Sequence, residues 1–341
     1  MDWLELLVAL VVILGSAELF TNALEWIGNS FGLTDGAVGS VLAAVGTALP
    51  ETLLPLVAIV LGRAKGKEIG IGAIIGAPLM LTTLAMFVLA VATLIFARRG
   101  ARSTDVRGDR RVLLQDLGYF LVMYSLAVVA GLYHRAWFRW TLAAALMAGY
   151  ALYVYRHFTR PGEKTEEAEA QGEIRQLYLW RWLRRNHHPA GDPSAGASIA
   201  QCVVALAGIV VGARIFVIGV DHLSTTFKVP GLVLALLIAP IATELPEKFN
   251  SVIWVRRRKD TLALGNLTGA MVFQSSFPVT IGLLLTPWRL TGDALVAALA
   301  AVAAGSVLWL TIRVRGSLGA RLLLAQGLIY GVYVVYVLSR L

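Results

Sequence analysis

Apolar residues in this chain fall in long continuous runs rather than in alternation. Ten runs can be marked: Trp3–Ile27, Gly36–Leu61, Ile69–Ala97, Val112–Leu132, Ala136–Tyr155, Ile199–Phe227, Val229–Val255, Leu262–Thr286, Asp293–Ile312 and Ala320–Leu338. Each approaches or exceeds the roughly 20 residues that an α-helix needs to cross the hydrocarbon of a bilayer. Period-two alternation, the mark of a membrane β-barrel, is absent from these runs. The pattern predicts an all-α polytopic membrane protein of about ten transmembrane helices. The first run opens on Asp2 and Glu5 rather than on a basic stretch and has no small-x-small cleavage signal, so it reads as a span and not as a signal peptide.

Composition sharpens this picture. Hydrophobic residues make up 57% of the 341 and charged residues 15%, where a soluble domain carries about a quarter charged. The mean hydropathy is +0.72. A soluble enzyme, a disordered chain and a disulfide scaffold are excluded; the single cysteine, Cys202, has no intrachain partner. The net charge of +9 lies in loops between apolar runs, which argues against nucleic acid and for a bilayer. With the N-terminus outside, and with Arg139 and Arg321 at the starts of their runs counted to the adjoining segments, the inside loops hold twenty Lys and Arg and the outside segments eight. That bias predicts both termini outside and a cytoplasmic stretch between the fifth and sixth runs. Three regions follow: residues 1–157, a linker at 158–198, and residues 199–341. The linker is acidic through Glu163, Glu166, Glu167, Glu169 and Glu173, then interleaves aromatics and arginines over Leu177–Arg185, as an interfacial amphipathic helix does. His187 and His188 read as solvated loop rather than a metal site.

The two halves resemble each other. Sliding the chain by 196 positions gives 11 identities in 43 over residues 9–51, where roughly 4 are expected from so Leu/Ala/Val-rich a composition. Thr47 falls on Thr243, Leu49 on Leu245 and Pro50-Glu51 on Pro246-Glu247; with three residues then dropped, Gly72–Gly76 falls on Gly265–Gly269. Five spans per half is an odd number, so the halves enter the membrane in opposite directions. Inverted repeats of this kind build many secondary transporters, with the substrate held between the halves near the midplane.

The repeated elements are Gly46-Thr-Ala-Leu-Pro-Glu51 and Ala242-Thr-Glu-Leu-Pro-Glu247. A proline inside a helix has no N–H for the carbonyl four residues earlier, so Pro50 releases that of Gly46 and Pro246 that of Ala242. In hydrocarbon such carbonyls need a partner, and a cation is one. Thr47 and Glu51 share a helix face, as do Thr243 and Glu247. Carboxylates, hydroxyls and carbonyls are hard donors of the type that suits calcium. Kinked helices lining a polar seam are the plainer reading. Three intramembrane carboxylates, Glu51, Glu244 and Glu247, would however cost on the order of 8–10 kcal/mol uncompensated. Lys248 could neutralise one of these glutamates, and Arg214 could do the same for Glu244; being next to Glu247, Lys248 points to another face and is expected to snorkel.

These elements resemble the alpha-repeat signatures of the calcium/cation antiporter superfamily, which includes the sodium/calcium exchangers and their proton-coupled relatives. The resemblance covers most of the chain. It implies two inverted five-helix repeats, with broken helices in spans 2, 3, 7 and 8, and assigns Glu51 and Glu247 as the central ion ligands, helped by Thr47 and Thr243. Ala17-Glu18 resembles the small-then-acidic pair of the family's first span. The departures are as informative. The family's serine after threonine is Ala48 in one half and Glu244 in the other. Where the family resembles Gly-Ser-Asn-x-x-Asn/Asp in spans 3 and 8, this chain has Ala77, Leu81 and Ala270, with Gln274 the polar survivor. Those family groups help form sodium sites, so sodium coupling is not expected.

The sequence thus predicts a secondary active antiporter exporting Ca2+ or a similar divalent cation by alternating access in exchange for H+. The expected ion-binding residues are Glu51, Glu247, Thr47, Thr243, Glu244, Gln274, Gly46 and Ala242, with Glu244 the proton-coupling acid because a third carboxylate is surplus to one divalent ion. The expected partners are the lipid bilayer of a bacterial or archaeal cell and small inorganic cations bound transiently, with no nucleic acid and no resident cofactor. Monomer and homodimer are left open. Sodium-coupled calcium exchange, transport of another cation, and a non-transporting sensor are the alternatives. A membrane enzyme lacks support: there is no His-Glu-x-x-His, and the five histidines are scattered. Glu18, Arg214 and Asp221 remain; Arg214 is the repeat equivalent of Glu18, so it could pair there, pair with Asp221, or snorkel.

Overall fold

The computed structural model describes residues 2–30, 43–62, 65–100, 102–133, 135–158, 177–178 and 194–340. These residues are almost wholly helical. In chain order the helices are α1 (Asp2–Ser30), α2 (Ala43–Leu61), α3 (Gly66–Met80), a π-helical turn at Leu81–Ala85, α4 (Met86–Arg98), α5 (Arg110–Leu132) and α6 (Ala136–Phe158). They continue with α7 (Ala195–Phe227), α8 (Gly231–Thr243), α9 (Leu245–Arg256), α10 (Asp260–Leu285), α11 (Gly292–Arg315) and α12 (Ala320–Leu338). By length and composition, seven helical stretches among the described residues can cross a membrane: α1, Gly66–Arg98, α5, α7, α10, α11 and α12; α6, read from the sequence as a span, is not among them. Large apolar side chains such as Leu328, Val332 and Val335 point outward, as a lipid-facing surface requires. The protein is an integral membrane protein.

Local chemistry fixes the helix ends. Asp109 caps α5 by accepting from the N–H groups of Arg111 and Val112, and the Ser194 hydroxyl accepts from Ala197 N–H at the start of α7. Gly316, at φ 69°, ends α11 in the left-handed conformation that glycine tolerates best.

Prolines produce different outcomes in different helices. The expected break in span 7 is present: the helix stops at Thr243 and restarts at Leu245, with Glu244 at the joint and Pro246 just inside α9. Span 3 bends instead through the π turn that follows Pro78. The hydroxyls of Thr82 and Thr83 donate to the carbonyls of Pro78 and Leu79 within this turn, and the chain stays helical from Gly66 to Arg98 rather than breaking. In span 8, Asp260–Leu285 is one continuous helix with Pro278 inside it, and α2 runs unbroken over its described residues with Pro50 and Pro55 inside. For spans 2, 3 and 8 the expectation of a break is corrected: one missing N–H bends a ladder without cutting it when the flanking turns are intact.

Among the described residues a small apolar cluster joins Phe20 of α1 to Ala205 and Ile209 of α7, and two larger ones organise the bundle. One gathers α1 and α7 with parts of α2, α3 and α8; the larger holds most of the rest. Helices α1 and α7 lie antiparallel along their length, Gly208 against Ser16, Gly212 against Ile13 and Gly219 against Leu6. Helix α3 crosses α8 so closely that a Cβ at Gly72 would overlap the Leu232 carbonyl, and one at Gly76 that of Leu236. At one end of the bundle three loops are tied. Strand β1 (Asp105–Val106) pairs antiparallel with β2 (Leu318–Gly319). The Arg102 guanidinium spans Asp260 Oδ2 at 2.9 Å, the Val255 carbonyl at 2.9 Å and the Asp105 carbonyl at 3.2 Å.

Candidate cation-binding site

Glu51 stands directly after Pro50 and four residues before Pro55 on α2. Pro55 has no N–H to offer the carbonyl of Glu51, just as Pro50 has none for Gly46, so this turn presents main-chain oxygen beside the carboxylate. The Glu51 side chain is buried. The Gln274 amide on α10 donates from Nε2 to Glu51 Oε2, joining positions 223 residues apart. Gln274 likewise stands four residues before a proline, Pro278. The neighbouring Ser275 and Ser276 are buried, and both hydroxyls donate to the Val272 carbonyl.

Across the break in span 7, Thr243 is buried and its hydroxyl donates to the Ala239 carbonyl at 3.2 Å, which leaves the oxygen's lone pairs as acceptors. Glu244 is 0% exposed, and its Oε2 lies 3.2 Å from Lys248 Nζ, one helical turn on. The same ammonium donates to Met80 Sδ at 2.8 Å. The expectation that Lys248 snorkels is therefore corrected. The face it occupies is that of Glu244, one helical turn earlier, and it is only 8% exposed.

The structure thus brings together Glu51 with Gln274, and Glu244 with Lys248. The side chains of Gly46, Thr47, Ala242 and Glu247 lie outside the described residues, although the helices carrying them are in place. Ala77 and Leu81 are buried on α3 and the π turn, and Ala270 is half-buried on α10; none has a side-chain oxygen. Glu163–Glu173, Leu179–Arg185, His187 and His188 of the linker also lie outside the described residues. Of the proposed interfacial segment, Leu177 is buried, and Tyr178 bonds Glu18 through its hydroxyl at 2.9 Å and Asn22 Oδ1 through its N–H at 3.2 Å.

Among the described residues Arg214 pairs with neither Glu18 nor Asp221. Its side chain is exposed on α7, as snorkelling requires, and Asp221 meets Lys65 at 3.6 Å instead. A buried acid escaped the sequence reading. Asp116 on α5 is 2% exposed and accepts from the Tyr153 hydroxyl of α6 at 3.0 Å and from the Thr268 hydroxyl of α10 at 2.6 Å. The signal was available, because an ionisable residue inside the run Val112–Leu132 is a functional candidate by default.

A buried carboxylate held across two proline-bearing helices, inside a bundle with an apolar exterior, is an arrangement that suits a membrane protein of the secondary-transporter class. The chain belongs to the sodium/calcium exchanger protein family, whose profile matches residues 1–159 and 197–340, within the calcium/cation antiporter superfamily. It is 26% identical over 294 residues to the putative antiporter CaxA of Alkalimonas amylolytica, covering 82% of this chain and 80% of that one. It is 24% identical over 295 residues to the inner membrane protein YrbG of Escherichia coli, covering 83% and 79%. Its fold is similar to that of the H+/Ca2+ exchanger CAX, with a TM-score of 0.70 at 16% identity over 99% of this chain and 87% of that one. It is also similar to the sodium-calcium exchanger NCX_Mj, with a TM-score of 0.55 at 19% identity over 98% and 99%.

Proposed function

We propose that this cation exchanger moves a divalent ion, calcium first among candidates, in exchange for protons by alternating access. The observation that carries this reading is Glu51. It is a buried carboxylate on a proline-flanked turn, bonded to Gln274 from the other half of the chain. Glu247, its repeat partner, supplies the second carboxylate in this reading. Thr47, Thr243 and the carbonyls of Gly46 and Ala242 complete a hard-oxygen set suited to calcium. Two carboxylates balance one divalent ion, and when it leaves the same two groups can take up protons. Glu244 has its counter-charge in Lys248, so the protons are assigned to Glu51 and Glu247 rather than to it.

Protons are favoured over sodium because Ala77, Leu81 and Ala270 offer no side-chain oxygen where a sodium shell would need it. Measuring calcium uptake into proteoliposomes under imposed gradients tests it. A pH gradient of the correct sign should drive accumulation, and a sodium gradient at constant pH should not; the reverse result would establish the sodium-coupled alternative.

The orientation proposed from the basic-residue bias puts both termini outside and residues 158–198 in the cytoplasm. A single cysteine introduced within Glu163–Gly172 should react with a membrane-impermeant maleimide only after the cells are opened. Labelling in intact cells would invert the topology.

A further inference from the structure

A buried lysine beside the site has no task in the exchange cycle described so far. We propose that the Lys248 ammonium is a built-in cation that stands, between Glu244 Oε2 and Met80 Sδ, where a co-bound monovalent ion would otherwise be needed, and that it thereby sets how many ions are exchanged per divalent ion. The proposal rests on the antiport reading for its consequence, but its geometry stands independently.

Glu244 sits at the joint between α8 and α9 with no exposed surface. An anion in that position needs a counter-charge, because removing one partner of a buried pair leaves a strongly destabilising charge behind. The chain supplies one. The Lys248 N–H donates to the Glu244 carbonyl at 3.3 Å, so the first turn of α9 is helical and carries the ammonium back to 3.2 Å from the carboxylate. On its other side the ammonium meets the thioether of Met80, a weak and uncharged acceptor. The segment presenting Met80 adds no anion: Leu79 and Leu81 are buried, and the hydroxyls of Thr82 and Thr83 donate to main-chain carbonyls. Glu244 and Lys248 carry opposite unit charges that offset each other at 3.2 Å.

Glu247 precedes Lys248 directly in the sequence, so the pair lies on the same helical turn as the proposed second ligand. A divalent ion there meets two uncancelled carboxylates instead of three. A sodium ion neutralising Glu244 would be carried through the cycle; an ammonium fixed to the backbone cannot be. Replacing Lys248 by an uncharged residue should open a monovalent site that the parent protein lacks.

The test uses the full-length protein and Lys248→Gln at one pH, with sodium as the probe and choline as control. Lys248→Gln should melt at a higher temperature in sodium than in choline, and its divalent uptake should be at least about tenfold greater in sodium, since a ligand bound only by the folded form stabilises it. The parent and the double variant Lys248→Gln/Glu244→Gln should show no sodium response. A single variant recovered folded only in sodium supports the proposal. Equal melting and uptake of the single variant in both media overturns it. Retention of the sodium response by the double variant also overturns it, as does a single variant that misfolds in both media while the double variant folds. Absence of divalent flux in the parent would sink the antiport reading alone, because the melting comparison requires no transport.

Discussion

Glu51→Gln should abolish divalent binding and uptake while leaving the protein folded. The substitution preserves size and keeps hydrogen-bonding capacity toward Gln274, but it removes a full charge from a buried position. Two unit charges about 4 Å apart interact by about 4 kcal/mol at an effective dielectric constant of about 20, and a divalent ion doubles that attraction. Desolvation returns part of it, so a loss of at least about a thousandfold in affinity is expected, each tenfold being about 1.4 kcal/mol. Glu247→Gln should behave alike if the two carboxylates share one ion. Titration of the purified variants with calcium measures this directly, with melting temperature as the check on folding. Near-normal uptake by both variants would remove the site assignment.

Arg102→Ala should produce the largest loss of stability among loop substitutions. Arg102 is nearly buried and binds Asp260 at 2.9 Å while holding the carbonyls of Val255 and Asp105. It therefore fastens the loop after α4 to the turn between α9 and α10. Removing one member of a buried pair costs about 3–5 kcal/mol, because the remaining carboxylate is left without its counter-charge. Arg102→Lys should fall between, since an ammonium keeps the charge but cannot fork to two carbonyls and a carboxylate together. Denaturant unfolding in detergent, followed by tryptophan fluorescence, reads the difference. In Arg102→Ala/Asp260→Asn part of the loss should be recovered, and a single-variant loss below about 0.5 kcal/mol would show that the contact does not hold the loops.

Much of this architecture is written in the sequence. Long apolar runs locate the helices because a bilayer demands continuous apolar length, and Pro246 marks the break at Glu244 because its missing N–H is a local property. Gln274 could be singled out because it is the polar survivor among apolar substitutions, and the structure places it on Glu51. Other features depend on partners that spacing alone does not specify. Pro50, Pro78, Pro246 and Pro278 have the same local chemistry yet give an intact helix, a π turn, a break and an intact helix. The four-residue spacing of Glu244 and Lys248 is legible as a helix pair, but Met80, which closes the other side of the ammonium, arrives from 168 residues away. Asp116 was visible as a charge in a span, while its clasp by Tyr153 and Thr268 required the packing of three helices.

The central claim is obligatory exchange of cations at Glu51, and counterflow tests it most directly. Proteoliposomes loaded with unlabelled calcium are diluted into a trace of radiolabelled calcium at constant pH with no imposed gradient of other ions. An exchanger that must return loaded should draw label in to a transient peak well above its final equilibrium level, and Glu51→Gln should show no peak. A monotonic approach to equilibrium in the parent, or a peak that persists undiminished in Glu51→Gln, would contradict the account.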